Sequence, residues 1–208
     1  MKTVLLLTAL VILGGCNVVV TKDPLFTRAN EAGAPSLKPG LWRMEMDAKC
    51  AVDETKPLAD WPECAAGAVL GDGMAGFYDR KSDADKPIWK QQPVILAAGD
   101  PRVLQLQTEV GGDIKVDSSP YLYLGVRPTK TDSDGHITEF GLWPVLCGPP
   151  PPSAQDSLTK HLLPGLTAKP GEPVCTTSSI AALQNAAKVS AAWTPEIKKG
   201  RWVRAGGR

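Results

Sequence analysis

The first sixteen residues constrain the fold of this chain most, because they decide in which compartment the rest of it folds. Lys2 supplies a positive charge, residues 4–13 form an apolar stretch, and Gly14 and Gly15 stand directly before Cys16. This layout is typical of a secretory signal peptide. The apolar stretch is about half the length of roughly twenty residues that a membrane-spanning helix needs. We therefore expect residues 1–15 to be removed after export.

The segment Leu13-Gly14-Gly15-Cys16 resembles the lipobox of bacterial lipoproteins. The resemblance implies cleavage before Cys16, a diacylglyceryl group on its sulfur and, in many Gram-negative bacteria, a fatty acyl group such as palmitate on the freed amine. Two or more acyl chains hold a protein on a membrane face without crossing it. The implied location is the cell envelope, facing the periplasm. Asn17 stands where inner-membrane lipoproteins of enterobacteria carry Asp, which favours the outer membrane. The alternative is a secreted protein with a cysteine near its cleavage site.

Four further cysteines follow Cys16, and an even number in an exported chain indicates disulfides. Three pairings are open, of which we favour Cys50 with Cys64 and Cys147 with Cys175, because each pair brackets a proline-containing stretch. Zinc is the competing explanation for four cysteines. However, the chain has no C-x-x-C pair, and the two couples are more than eighty residues apart. We therefore expect no metal and no cofactor.

The mature chain carries no net charge. Loss of Lys2 leaves 22 Lys and Arg against 22 Asp and Glu, so there is no electrostatic indication of nucleic acid as a partner. Prolines and glycines between residues 17 and 38 indicate a lipidated tether over residues 16–38, although Leu25 and Phe26 could dock onto the domain. Residues 39–208 are then a single β-rich periplasmic domain.

Strand patterns dominate the middle of the chain. A first strand is expected over residues 41–46, a hairpin over 94–97 and 103–110, and later strands over 121–126, 136–145 and 201–204. A turn at 111–113 leads to a short strand at 114–116. Residues 72–86 are rich in glycine and charge and are interpreted as a solvent loop. Consecutive strands with tight turns predict an antiparallel sheet or a partly closed barrel.

Helix patterns are fewer and lie near the C-terminus. Residues 57–66 could hold one helical turn, Ser153 could cap a short helix ending before Pro164, and Ser178 or Ser179 could cap a helix reaching Ala191. Four prolines, 149–152, predict an extended connector, with a partner-binding motif as the alternative. The expected fold class is α+β and β-rich, with one or two short C-terminal helices and two disulfides.

A Gly-x-Trp motif occurs three times, at Gly40-Leu41-Trp42, Gly141-Leu142-Trp143 and Gly200-Arg201-Trp202. The simplest interpretation is that each glycine lets the backbone pack closely where a strand begins, and that the tryptophan after it fills the end of the sheet. The first and last motifs also resemble the lipocalin pattern. That resemblance implies that Trp42 lies on the floor of a barrel, with Arg201 or Arg204 stacked on it, and that a small apolar ligand binds inside. Residues 39–42 are equally similar to the opening of small periplasmic domains with paired cysteines.

The remaining polar groups do not form a catalytic motif. Asp132, Asp134 and Gly135 match part of a calcium loop, but Lys130 and Gly141 occupy two of its ligand positions, so a hairpin turn is the better explanation. His136 and His161 lie in no known catalytic context. We expect a non-catalytic, membrane-anchored envelope module that binds other envelope proteins or the cell wall. A lipocalin-like carrier is the alternative, and an envelope hydrolase has less support.

Overall fold

The fold is taken from a computed structural model, which describes residues 17–45, 49–79, 87–107, 120–150, 161–169 and 172–207. Its ten strands are β1 Val18–Thr21, β2 Gly40–Glu45, β3 Ala66–Gly71, β4 Met74–Asp79, β5 Ile88–Ala97, β6 Arg102–Gln107, β7 Tyr121–Thr131, β8 Ile137–Pro144, β9 Val174–Cys175 and β10 Lys198–Arg204. One α-helix, α1, covers Ile180–Trp193, and short 3-10 helices cover Arg28–Glu31 and Leu58–Asp60. In the part of the chain described, no helix is long and apolar enough to span a membrane.

Eight of the strands close into an antiparallel barrel. They follow the order β6-β5-β4-β3-β2-β10-β8-β7, and β7 pairs with β6 to complete the ring. The β-rich α+β class is confirmed. The antiparallel pairing of the barrel strands is confirmed as well. The expectation of partial closure is wrong, because β3 and β4 supply two strands that were not predicted.

The turn and second strand of the β3–β4 hairpin lie where a solvent loop was expected. Its turn is Asp72-Gly73, in which both residues have positive φ (51° and 68°). Asp-Gly is a preferred pair for a two-residue hairpin turn of this kind. The two strands of the hairpin, β3 and β4, are rich in alanine and glycine, two residue types that are uncommon in β-strands. Pairing with β2 and β5 therefore decides the conformation of β3 and β4.

The segment predicted as a tether is largely part of the fold. Residues 18–21 form β1, which pairs with β7 and β9, and Phe26 is only 1% exposed. The side chain of Gln105 accepts hydrogen bonds from the backbone N–H groups of Leu25 and Phe26, both at 2.9 Å. The flexible-tether expectation is therefore wrong over these residues, and docking, the alternative, is correct.

The other predicted elements agree with the structure to different degrees. The 94–97/103–110 hairpin corresponds to β5 and β6, and α1 begins after Ser179, whose Oγ accepts the N–H of Ala182 at 3.2 Å. The strand predicted at 201–204 begins earlier, at Lys198. The turn and strand at 111–116, the helix capped by Ser153 and the second half of the proline run lie outside the described residues. So do Cys16 and the signal peptide, which stay predictions.

The chain divides into two compact units. Unit 1 takes the chain up to Gly33, Ile95–Val126 and Trp143–Ile197, and unit 2 takes Ala34–Val94, Arg127–Leu142 and the segment from Lys198 onward. The boundary predicted near residue 38 does not separate a tether from a single domain, since residues before Gly33 belong to unit 1.

Each unit has a core of its own. In unit 1, α1 packs through Leu183, Ala186 and Ala187 against Val19, Tyr123 and Val145, with Cys147 and Cys175 in the same cluster. In unit 2, a loop over residues 49–65 packs through Leu58 and Trp61 on Leu41. Gly67 lies beneath this loop, and a Cβ there would come within 2.6 Å of Leu58 and 2.7 Å of Trp61.

Candidate functional site

The candidate site is one face of the unit 2 sheet, which we call the Trp42 face. Residues paired in register share a face of a sheet, and neighbours along a strand alternate. Trp42 pairs with Ala68 on β3 and with Trp202 on β10, and Gly200 pairs with Phe140 on β8. The side chains of this face include Trp42, Met44, Ala66, Ala68, Leu70, Ala75, Phe77, Phe140, Leu142 and Trp202.

Two aromatic rings form the buried part of the Trp42 face. The Trp42 ring lies 5.1 Å from the Phe140 ring, measured between centroids and tilted by 33°. Phe140 covers Gly200, where a Cβ would come within 2.4 Å of its ring. The Trp42 indole N–H donates to the Lys38 carbonyl at 2.8 Å. The hydrogen-bonding group of Trp42 is thus satisfied, and its ring acts as an apolar surface.

Part of the Trp42 face is apolar and only half-buried, whereas Ala75 and Leu142 are buried like the two rings. Met44, Ala66, Ala68, Leu70 and Phe77 all retain solvent exposure, whereas Trp42 and Phe140 are 1% and 4% exposed. Three of the face's side chains are alanines. The half-buried apolar side chains are the part of this face that keeps contact with solvent.

The opposite side, the Arg43 face, holds three arginines around one loop. Arg201 pairs directly with Arg43, and Glu54 accepts hydrogen bonds from both guanidinium groups, at 2.7 Å from Arg43. Arg204 donates to the backbone carbonyls of Glu54 and Lys56. Together these contacts hold the 49–65 loop on β2 and β10.

Glu54 is the carboxylate that balances these arginines. Burial by itself raises the pKa of Glu54, but the hydrogen bonds from Arg43 and Arg201 outweigh it, so the net effect lowers the pKa. Glu54 is therefore ionised at neutral pH and serves as a structural anion.

The register of β2 and β10 corrects the predicted stacking of Arg201 or Arg204 on Trp42. Trp42 lies in the barrel wall and is almost fully buried, but Arg201 and Arg204 lie on the Arg43 face and bind the 49–65 loop. Neither can stack on Trp42. Arg201 pairs with Arg43, whose side chain points to the opposite face from Trp42, and a bulge between Trp202 and Arg204 places Arg204 opposite Leu41 on that same face. The lipocalin-like arginine expectation is wrong for both residues.

Both disulfides have the predicted pairing. Cys50 bonds Cys64 with a Cα–Cα distance of 5.8 Å, and Cys147 bonds Cys175 with the same distance. The first staples the 49–65 loop in unit 2, and the second lies in the unit 1 core. Zinc is excluded as the reason for these four cysteines, because their sulfurs are bonded to one another.

The chain has no significant match to a family model, a curated protein or a solved structure. Its function is therefore argued from its own side chains.

Asp132 organises the turn between β7 and β8, as the hairpin interpretation predicted. Its Oδ1 accepts the backbone N–H groups of Asp134 at 3.1 Å and His136 at 2.8 Å, while Oδ2 lies 2.8 Å from the Lys38 ammonium. That ammonium also lies 4.5 Å from the centroid of the Trp202 ring. Lys38 therefore joins the turn to β10, by an ion pair on one side and a cation–π contact on the other.

The contacts of Asp132 predict a pH dependence of stability. The Lys38 hydrogen bond, aided by the backbone N–H groups of His136 and Asp134 against partial burial, lowers the pKa of Asp132 from 3.8 to about 2. A lowered pKa stabilises the fold above the unfolded value, and this contribution is lost as pH falls from about 4 to 2. We expect Asp132→Asn to be less stable than the wild type at pH 7 and to approach it at pH 2. Urea denaturation across this range measures the difference.

The control for this pH series is Asp134→Asn, the same change at an exposed position two residues away. It should keep the pH profile of the wild type. A constant gap between Asp132→Asn and wild type from pH 7 to pH 2 would contradict the assignment.

The two histidines considered for catalysis belong to different units. Half-buried His136 follows the Asp132 turn in unit 2, and half-buried His161 belongs to unit 1. Within the described ranges, no three or more His, Cys, Asp or Glu side chains form a group that could hold a metal ion. Sequence reasoning missed Ala66, Ala68, Leu70 and Phe77, because no strand was predicted over residues 66–71 and residues 72–86 were taken for a loop. Asp72-Gly73 was the signal that could have revealed them.

Proposed function

We propose that the protein is a non-catalytic binding module of the bacterial cell envelope, anchored by lipid on Cys16 and facing the periplasm, which holds a small apolar ligand on its Trp42 face. The observation that carries the ligand proposal is the row of half-buried apolar side chains on that face, from Met44 on β2 to Phe77 on β4.

The opposite side of the same strands, the Arg43 face, supports the choice of the Trp42 face as the ligand site. On the Arg43 face, Leu58 and Trp61 cover Gly67, and the Trp89 ring covers Gly76, where a Cβ would lie 2.1 Å from it. That face is already filled by the protein's own side chains. The Trp42 face carries the apolar surface that a ligand could still cover, and covering it contributes about 25 cal/mol per Å² removed from water.

The chemistry of the Trp42 face indicates a ligand with an apolar body. Both indole N–H groups on this face donate to backbone carbonyls, Trp42 to Lys38 and Trp202 to Pro39. Half-buried polar side chains of the same face include Lys90 and Gln92 on β5, and Lys198 at the start of β10. We therefore expect dispersion and apolar contacts to dominate affinity, with any polar group of the ligand near these three side chains.

Binding of N-phenyl-1-naphthylamine, an uncharged fluorophore that brightens in apolar surroundings, tests this function. The chain from residue 17, secreted without its lipid so that no detergent competes, should bind the probe saturably. Ala68→Phe places a ring over the middle of the Trp42 face and should weaken binding at least tenfold, or about 1.4 kcal/mol. Fluorescence titration gives both affinities.

Ala51→Phe is the matched control, because it makes the same change at an exposed loop position in unit 2. It should bind the probe as the wild type does. Leu70→Gln, which makes the face polar without filling it, should also weaken binding and guards against misfolding of Ala68→Phe. Absence of saturable binding, or equal affinity in all four proteins, would rule out the ligand proposal.

A further inference from the structure

The residue directly after the predicted lipidation site is fixed in the fold. Asn17 is 6% exposed, its side-chain amide donates to the Gly148 carbonyl at 3.0 Å, and its own carbonyl accepts the N–H of Cys147 at 3.0 Å. A side chain and a backbone carbonyl are thus both held by the segment around Cys147. This is the opposite of the flexible start that a tethered lipoprotein would have.

The strand that follows Asn17 is held from both sides. Val18 and Val19 pair in parallel with Val174 and Cys175 of β9, and the Val19 N–H donates to the Val145 carbonyl at 2.9 Å. The Cys147–Cys175 disulfide joins the two segments that flank β1. The strand carrying the N-terminus is therefore clamped by a covalent staple as well as by hydrogen bonds.

We propose that the bilayer surface is the binding partner of the end of unit 1 around Asn17, so that the lipid on Cys16 holds this end directly against the membrane with no tether between. This inference rests on the lipid anchor of the proposed function. Consecutive Cα atoms are about 3.8 Å apart, so Cys16 stays within one residue's length of a buried strand. We call this end, formed by Asn17, Gly148, Pro149, Glu172 and Pro173, the anchor end.

The register groups the residues of the anchor end around the start of β1. In the parallel pairing Val174 lies level with Val18, so Glu172 and Pro173 precede β9 on the side of β1 where Asn17 lies. Gly148 and Pro149 lie on the other side, since the Asn17 amide donates to the Gly148 carbonyl. Segments on both sides of β1 thus reach the end of the strand that carries Asn17.

The surface chemistry of the anchor end suits the headgroup region. Pro149 and Pro173 have no backbone N–H, so two fewer donors need a partner where water is scarce. The exposed Glu172 carboxylate lies 3.3 Å from the ammonium of Lys169, which offsets its charge. With a mature chain that carries no net charge, the attachment depends on lipid rather than on attraction to anionic headgroups.

Photo-crosslinking to lipid measures which end of unit 1 touches the bilayer. The acylated protein is reconstituted in phosphatidylcholine vesicles whose acyl chains carry an alkyne tag, with p-benzoylphenylalanine in place of Glu172 or, as the matched control, of Lys22. Both positions are exposed, but Lys22 follows β1 at the end opposite Asn17. We expect at least fivefold more tagged lipid at position 172 than at position 22.

A second variant tests the direct connection. Ten Gly and Ser residues inserted between Cys16 and Asn17 keep the lipid but add a tether, and should reduce the difference between the two positions to less than twofold. Equal crosslinking at 172 and 22 without the insertion, or an unchanged difference with it, would overturn the inference.

The same samples separate this inference from the proposed function. Mass spectrometry of the N-terminal peptide and flotation with vesicles show whether Cys16 is acylated and the protein membrane-bound. Loss of acylation would overturn both the anchor and this inference. Acylated, floating protein with equal crosslinking would overturn the inference alone, and binding of N-phenyl-1-naphthylamine would be unaffected.

Discussion

A variant without the Cys147–Cys175 disulfide, Cys147→Ala/Cys175→Ala, is expected to lose about 3–4 kcal/mol of unfolding free energy, because the bond closes a loop that separates its cysteines by 28 residues. The two cysteines are 0% and 2% exposed, so their removal also takes contacts from the unit 1 core. Urea denaturation followed by circular dichroism measures the loss.

Which part of the fold becomes less protected in this variant is as informative as the total loss of unfolding free energy. Because the disulfide joins the segments that flank β1, amide hydrogen exchange of residues 18–21 should become much faster. Cys50→Ala/Cys64→Ala is the matched control, since it removes a disulfide of 14-residue separation in unit 2. It should lose a similar free energy, about 3 kcal/mol, and leave β1 protected. Unchanged β1 protection in the first variant would contradict the clamp.

Removal of the Trp143 side chain should have a comparable effect. Trp143 is 0% exposed, and its indole N–H donates to the Ala187 carbonyl of α1 at 2.8 Å. We expect Trp143→Ala to cost about 3–5 kcal/mol, as large-to-small changes of buried aromatic residues do. Trp193→Ala, at the half-buried last residue of α1, is the control and should cost about 1 kcal/mol. Urea denaturation of both variants gives the comparison.

The packing of Trp143 can also be tested by changing the glycine that its ring covers. Its ring covers Gly125, where a Cβ would come within 2.3 Å. Gly125→Ala should therefore cost about 1–3 kcal/mol through overpacking, and Trp143→Phe in the same chain should recover part of that loss. If Gly125→Ala were as stable as the wild type, the close packing of Trp143 on this strand would be wrong.

The predicted and observed strands show where sequence reasoning succeeds. Alternation along the chain located β6 and the first half of β7, and the serine at position 179 located the start of α1, because these signals depend on neighbours along the chain. The alanine- and glycine-rich strands β3 and β4 carry little such signal. Their conformation depends on pairing with β2 and β5, which lie elsewhere in the sequence.

The roles of the arginines could not be read from the sequence. The spacing of Gly40-Leu41-Trp42 and Gly200-Arg201-Trp202 correctly suggested that the two strands are related. Only their register, with Arg201 opposite Arg43, shows that the arginines face away from Trp42. A shift of one residue would have reversed this result, because side chains alternate between the faces of a strand.

The sequence by itself determined the β-rich class, most strands and the prediction of a lipid on Cys16, because these depend on residue type, composition and short-range pattern. It favoured, but did not fix, the two disulfide pairings that the structure contains. Closure of the barrel, the Trp42 face, the arginine-bound loop and the fixed position of Asn17 were decided only in three dimensions. Each depends on hydrogen bonds or packing between residues far apart in the chain. The segment after Cys16 illustrates the difference: by its composition it is a tether, and by its pairing with β7 and β9 it is a strand.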